Sequence, residues 1–433
     1  MRLTRRSLIG AVAAAAVLPR ASLASPFVLR SGPATLDILG EGQPPTALFG
    51  FNGSTPGPEL RFSQGEIAEI RFENGTDAPS AIHWHGIRLV NAMDGVPGMT
   101  QPLVGPGESF DYSFRPPDAG TYWYHSHHRS WEQVARGLYG PLIIEDRVPP
   151  KVDADITVTL DDWRLDEEGR QAEEFGNRHD FSHAGRLGNY AMTLPSQDSV
   201  RLGDRIRLRI INAATARVFP VRVTGLDGKI IALDGMGLPT PRVLEDLEIA
   251  PAQRVDIIGD VTAAVNFDFV ARDSLIDMGG LALDGENPSP ATDDIPALQA
   301  SYITRPSDTP DHRIDIRMEG GAMGGGHAGD DIWAFNGVSG MPKAPLLRAE
   351  QGETAEFALI NDTGWPHGIH LHGHHFHELS EDGMLGDLRD TSLVQRGTTR
   401  RIRVVLDNPG KWLLHCHMLG HQASGMKTRI EVV

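Results

Sequence analysis

Hydrophobic positions along this chain come in short runs, not in the broad stripes of amphipathic helices. Residues Ile67 to Phe72, Ile206 to Ile211 and Ile402 to Leu406 are rich in strand formers. They partly alternate with polar residues and are bounded by Gly, Asn, Asp or Pro. A period of two places every second side chain on one face of a sheet. Runs of this length at roughly 8–12-residue spacing predict an all-β chain of Greek-key sandwiches or barrels, with little helix. The polar stretch Asp162 to Glu174 fits either a short helix or a loop.

The pattern repeats. Phe51-Asn52-Gly53, Gln64-Gly65-Glu66, Asn74 and His83-Trp84-His85 return as Phe335-Asn336-Gly337, Gln351-Gly352-Glu353, Asn361 and His370-Leu371-His372. From Gln64 onward the offset is a constant 287, and Gly120 to His127 returns as Gly410 to His417 at offset 290. A fainter middle copy keeps Gly203-Asp204 and Asn212 at the same interval but carries Val221-Arg222-Val223 where the others have His-x-His. A repeat of this size fixes the architecture as three similar units. Breaks near Asp146 to Lys151 and in the Pro-rich stretch Arg305 to Asp311 set them at 25–147, 148–306 and 307–433. The Gly-rich stretch Gly320 to Gly329 reads as a flexible loop entering the third unit.

Composition narrows the function. With 57 acids against 40 bases and a formal charge of −17, the chain is unsuited to nucleic acid as its main partner. No apolar run approaches the roughly 18 residues of a membrane span. Forty-eight Gly and 30 Pro suit many turns. The single cysteine, Cys416, excludes an intrachain disulfide. At the N-terminus, Arg5-Arg6, an apolar run to Leu18 and Ser22-Leu23-Ala24 form a basic region, an apolar core and a cleavage site. The arginine pair resembles a twin-arginine signal. Residues 1–24 are therefore expected to engage the twin-arginine export machinery and to be removed, leaving a periplasmic or secreted protein.

The histidines carry the chemistry. Among 18 His there are six His-x-His pairs, four of them at repeat-equivalent positions: His83/His85, His125/His127, His370/His372 and His415/His417. On a strand, residues i and i+2 share a face, so each pair sets two imidazoles side by side. If the first and third units pack together, eight imidazoles converge. A second set, His367, Cys416, His421 and Met426, combines a thiolate, two imidazoles and a thioether, which is the donor set of a blue-copper site. Cys416 stands between His415 and His417 and points to the opposite face, so one tripeptide bridges two metal sites. A zinc site would need three or four ligands and leaves most of these histidines unexplained.

With these motifs in place the sequence resembles the multicopper oxidases, the family of laccases, cuprous oxidases and bilirubin oxidases. The resemblance covers essentially the whole chain after residue 24. It implies three cupredoxin-like domains and four coppers. His367, Cys416 and His421 would hold the type 1 copper, with Met426 axial. His83 and His370 would hold the type 2 copper. His85, His125 and His417 would hold one type 3 copper, and His127, His372 and His415 the other. Reductants would give electrons singly to type 1 copper, and dioxygen would be reduced to water at the trinuclear cluster. Asp94, eleven residues after His83, stands where the family carries a proton-supplying acid. Gln422 replaces an acid that serves many bacterial relatives as a second relay. His128, His374, His375 and His377 are expected to support ligands or lie at the surface, and His179, His183, His312 and His327 to be surface residues.

The chain lacks the Met- and His-rich insert of cuprous oxidases; Met318, Met323 and His327 are at most a trace of one. Phenols and aromatic amines are thus the expected reductants, with an open type 1 edge, and cuprous ion the alternative. A copper-free scaffold of the same fold would have lost ligands, and all twelve positions are present. Copper nitrite reductase, a two-domain trimer without the full cluster, fits less well.

Overall fold

The computed structural model describes residues 25–40, 42–299, 302–322 and 331–433. The expected export signal at 1–24 lies outside the described residues, as do Met323 and His327. Among the described residues, strands dominate, helices are a few short turns, and none is long and apolar enough to cross a membrane.

The three repeats seen in the sequence share one strand arrangement. In each, the opening strand runs parallel to the strand that follows the Gly turn: Phe27–Leu36 beside Ala68–Asn74, Ala154–Trp163 beside Arg205–Asn212, and His312–Gly320 beside Thr354–Asn361. Each second strand then pairs antiparallel with a third, respectively Ser109–Phe114, Arg254–Val270 and Thr399–Val405. The repeated asparagine has a physical reason. Asn74, Asn212 and Asn361 are buried at strand ends, and each side-chain amide donates to one carbonyl of the following loop and to another 30, 37 or 33 residues further on, at Val104, Ile249 and Val394 respectively. Each Oδ1 accepts a backbone N–H two residues on. Such bonds contribute about 1 kcal/mol net apiece, and losing one partner of a buried pair costs more.

The first and third units each close with a second sheet, and these sheets carry the histidines. In the first unit Ile82–His85 pairs antiparallel with Gly120–Ser126, placing His83 opposite His125. In the third, His367–Leu371 pairs with Gly410–Cys416, placing His370 opposite His415 and Ile369 opposite Cys416. One continuous apolar core runs through both units, from Trp84 and Tyr124 to Trp412 and Leu414.

The middle unit locks the other two. The alternation in Ile206 to Ile211 would put Arg207 and Arg209 in water, yet both are fully buried. Arg207 donates to Asp256 and Asp146, and Arg209 to Asp155 and the Thr121 hydroxyl of the first unit. Pairing of this kind is what allows a guanidinium to be buried. One expectation needs correction. Asp162 to Glu174 is neither helix nor all loop: its start completes the strand Ala154–Trp163, and the helix is Arg178–Ser182. Met318 is buried in the core on His312–Gly320, in keeping with the absence of a Met-rich insert.

Candidate metal centre

Strand register brings the eight paired histidines together between the first and third units. Three groups of ligand atoms fall within 4.8 Å of one another: His83, His85 and His370; His85, His125 and His417; and His127, His372 and His415. All are buried. Burial pushes the imidazole pKa well below its usual value at His85, His125, His127, His370, His372 and His417, and to about 3 at His415. These rings are neutral and keep a lone pair.

Hydrogen bonds on the outer nitrogens decide which lone pair faces inward. His83 Nδ1 donates to the Asp94 carbonyl at 2.7 Å and His370 Nδ1 to the Asp390 carbonyl at 2.8 Å. His125 and His415 each donate Nδ1 to the carbonyl of the next residue at 2.9 Å. His372 Nδ1 donates to Asp94 Oδ2 at 2.9 Å. His85 is reversed: its Nε2 donates to Asp390 Oδ1 at 3.2 Å. The opposite nitrogens, Nε2 of His83, His125 and His370 and Nδ1 of His85, have no partner among the described residues, nor has either nitrogen of His417. His372 and His415 point Nε2 at Nε2 across 3.1 Å. Buried lone pairs facing each other are costly unless a cation lies between them.

The thiol site repeats this logic. Cys416 Sγ lies 3.5 Å from His367 Nδ1 and 3.7 Å from His421 Nδ1, and the two imidazole nitrogens are 3.1 Å apart. Burial pushes the Cys416 thiol up to about 12 and brings His421 down to about 4. A thiolate here therefore needs a metal cation beside it. Met426 is buried in the same core cluster, and its carbonyl accepts the Cys416 N–H at 3.1 Å. A second thioether was missed in the sequence: Met418 Sδ lies 3.7 Å from Cys416 Sγ. The donors present, one soft thiol with imidazoles and a set of convergent neutral imidazoles, fit copper at both places.

Comparison with known proteins agrees. Family models described as multicopper oxidase match residues 35–149, 155–285 and 313–433. The chain is similar to the solved structure of Lac15 from a marine microbial metagenome, at 49% identity over 94% of this chain and 100% of that one, with a TM-score of 0.83. It is 29% identical to the multicopper oxidase MmcO of Mycobacterium tuberculosis over 97% of this chain and 90% of that protein. It is 27% identical to copper resistance protein A of Pseudomonas syringae over 100% of this chain and 99% of that protein.

The chain belongs to the multicopper oxidase family.

Multicopper oxidases carry four coppers. In this multicopper oxidase two buried carboxylates flank the histidine cluster. Asp94 touches His83 and His372, and its Oδ1 has no hydrogen-bond partner among the described residues. Asp390 had no sequence signal, because the inserted hairpin Phe376–Leu379 and Leu385–Arg389 separates it from its histidine by twenty residues where Asp94 follows by eleven. Burial alone would raise the Asp390 carboxyl, but the Arg254 guanidinium, paired with it at 2.6 and 2.9 Å, holds it well below the usual range. Asp390 thus stays ionised and orients His85. This pair also explains the glycine that follows the first His-x-His: Gly86 has φ +86°, and a Cβ there would meet Arg254 and Asp390 within 2.5 Å.

A cavity of about 430 Å³ is lined by His127, His128, Gln422 and Lys427 among others, and no carboxylate lines it. Gln422, where the resemblance implies an acid in many relatives, lines this cavity, and none of the other lining residues is an acid. Of the unmatched histidines, His374 and His375 are buried and His375 Nε2 lies 3.6 Å from Asp390. His183 is not a bystander: its carbonyl accepts His421 Nε2–H at 2.7 Å. The expected open edge at the type 1 site is therefore corrected. His421 is fully buried, because the segment around Arg178–Ser182 lies over it, with Phe181 against Gly420.

Proposed function

We propose that this multicopper oxidase takes electrons singly from small phenols or aromatic amines at the Cys416 site and delivers them to dioxygen at the histidine cluster. In this reading His367, Cys416 and His421 would hold type 1 copper, with Met426 as a further weak donor, and His83 with His370 would hold type 2 copper. His85, His125 and His417 hold one type 3 copper, and His127, His372 and His415 the other. Copper supplies the one-electron steps and the four-electron reduction of dioxygen to two waters. The chain supplies the rest. The 415–417 tripeptide joins the two sites through a short covalent path. Asp94 offers a free carboxylate oxygen at which a proton is held. Burial keeps water off the thiol.

The observation that carries the choice of substrate is the cover over His421. It is built from Phe181 and His183, with Trp365 against His183, while the fully buried Trp333 packs on His421 from the core side. Aromatic and imidazole rings suit an aromatic reductant. A cuprous-ion oxidase is the second reading, favoured by the similarity to copper resistance protein A. One assay separates them: steady-state oxidation of 2,6-dimethoxyphenol by copper-loaded protein, with and without added cupric ion. Phenol turnover without added copper is expected. A strict need for excess copper, with faster consumption of cuprous ion, would favour metal oxidation.

The axial assignment has its own test, made sharper by Met418. A thioether donor favours the cuprous state less than no donor does, so Met426→Leu should raise the type 1 potential while the three strong ligands keep the blue colour. A redox titration checks this. If Met418→Leu moves the potential and Met426→Leu does not, the axial thioether belongs to Met418.

A further inference from the structure

Both imidazoles beside Cys416 have their outer nitrogens engaged inside the protein. His421 Nε2 donates to the His183 carbonyl at 2.7 Å, and His367 Nε2 lies 2.8 Å from the Thr363 hydroxyl. Both rings are fully buried. A reductant cannot hydrogen-bond to either, so its electron must cross a layer of protein. Over His421 that layer includes His183, whose carbonyl touches the ring directly. His183 is half-buried, its carbonyl holds His421, and its ring packs against two others. Trp365, also half-buried, lies 5.4 Å from the His183 ring at 61°, and the exposed His179 stacks on His183 at 4.0 Å and 13°.

The segment carrying His183 is fixed in place. Arg164 grips Asp180 through both nitrogens at 2.8 and 2.9 Å, and Asn177 Oδ1 caps the helix by accepting the Asp180 N–H. The Phe181 carbonyl accepts Trp333 Nε1–H at 2.6 Å, and Trp333 packs on His421 at 4.3 Å. Preorganised rings cost a docking substrate little ordering.

We propose that His183 and Trp365 form the docking surface for aromatic reductants, and that the main-chain carbonyl of His183 is the electron's way in to His421. The inference rests on the phenol-oxidising reading above. An electron-rich ring packs against the imidazole and indole faces. From there a few covalent bonds and one hydrogen bond lead to His421. The phenol loses one electron inward and its hydroxyl proton to water, leaving a phenoxyl radical. Four phenols and one dioxygen thus give four radicals and two waters.

His183→Ala removes the ring and keeps the carbonyl. Under anaerobic conditions, bleaching of the blue colour by 2,6-dimethoxyphenol should slow about tenfold or more, while the oxidised spectrum and reoxidation by dioxygen stay as in wild type. His183→Phe, which restores a flat ring, should recover most of the rate. Affinity supplies a readout apart from turnover. Phenol titrated anaerobically into the fully reduced holoenzyme should quench tryptophan fluorescence, the quench should be lost in Trp365→Phe, and the dissociation constant should rise in His183→Ala. Should His183→Ala fail to fold, His179→Ala removes only a stacked surface ring and is expected to slow bleaching a few-fold. Wild-type bleaching and affinity in His183→Ala, or in His179→Ala if that is the variant available, would overturn the docking surface and leave the phenol reading standing. A wild-type enzyme that phenol does not bleach would overturn the phenol reading as well.

Discussion

Cys416→Ser is expected to yield a colourless protein with no measurable oxidase activity and three of the four coppers still bound. The reasoning starts from the donor. A blue colour requires charge transfer from thiolate to copper, and a serine hydroxyl does not ionise under any ordinary condition. Nothing nearby replaces the sulfur charge, since the side chains that touch it are neutral imidazoles and the Met418 thioether. His415 and His417 belong to the histidine cluster and not to the Cys416 site, and His415 keeps its own outer contact, so the cluster should load. Dioxygen would then meet a cluster that receives no electrons. Absorption spectra and copper analysis of the same sample check both halves. Retained colour would place the blue site elsewhere.

The second large effect is expected at Asp94. Each dioxygen reduced to two waters consumes four protons, and the inward nitrogens of the cluster imidazoles are committed to metal. Two carboxylates touch the cluster. Asp390 is held ionised by Arg254. Asp94 is not paired with a cation among the described residues and keeps Oδ1 free. The cavity beside His127 holds Gln422 and no acid. On the proposed reading, proton delivery would therefore rest on Asp94. Asp94→Asn keeps the shape, and its amide oxygen can still accept from His372, so copper content and colour should survive. Turnover should fall by roughly 10²-fold, the usual scale for one general acid–base group. In stopped flow, reduction of the blue site by substrate should remain fast and reoxidation by dioxygen should stall. Turnover at the wild-type rate would leave Asp94 as a residue that only orients His83 and His372.

Much of this site was legible in the sequence because its parts obey short-range geometry. His-x-His on a strand gives two rings on one face whatever surrounds them, and the repeat says which pairs are equivalent. The twelve ligand positions follow from those two facts and the family resemblance, and the structure gathers eleven of them into four compact groups of donor atoms. What the sequence hid depends on long-range packing. Asp390 reaches His85 across 305 residues and owes its charge state to Arg254 of the middle unit. Arg207 and Arg209 have the alternation of an exposed face, and only the packing of units shows them buried against aspartates. The cover over His421 comes from the loop after Ala154–Trp163, more than two hundred residues away, and its key contact is a main-chain carbonyl that no side-chain pattern reveals. The Met418 thioether was overlooked because Met426 already filled the expected role.

Metal analysis of the fully loaded wild-type protein tests the central claim most directly. Two separate sites, one built on Cys416 and one on eight histidines, predict about four coppers per chain in a blue protein. One copper or none per chain would contradict the account.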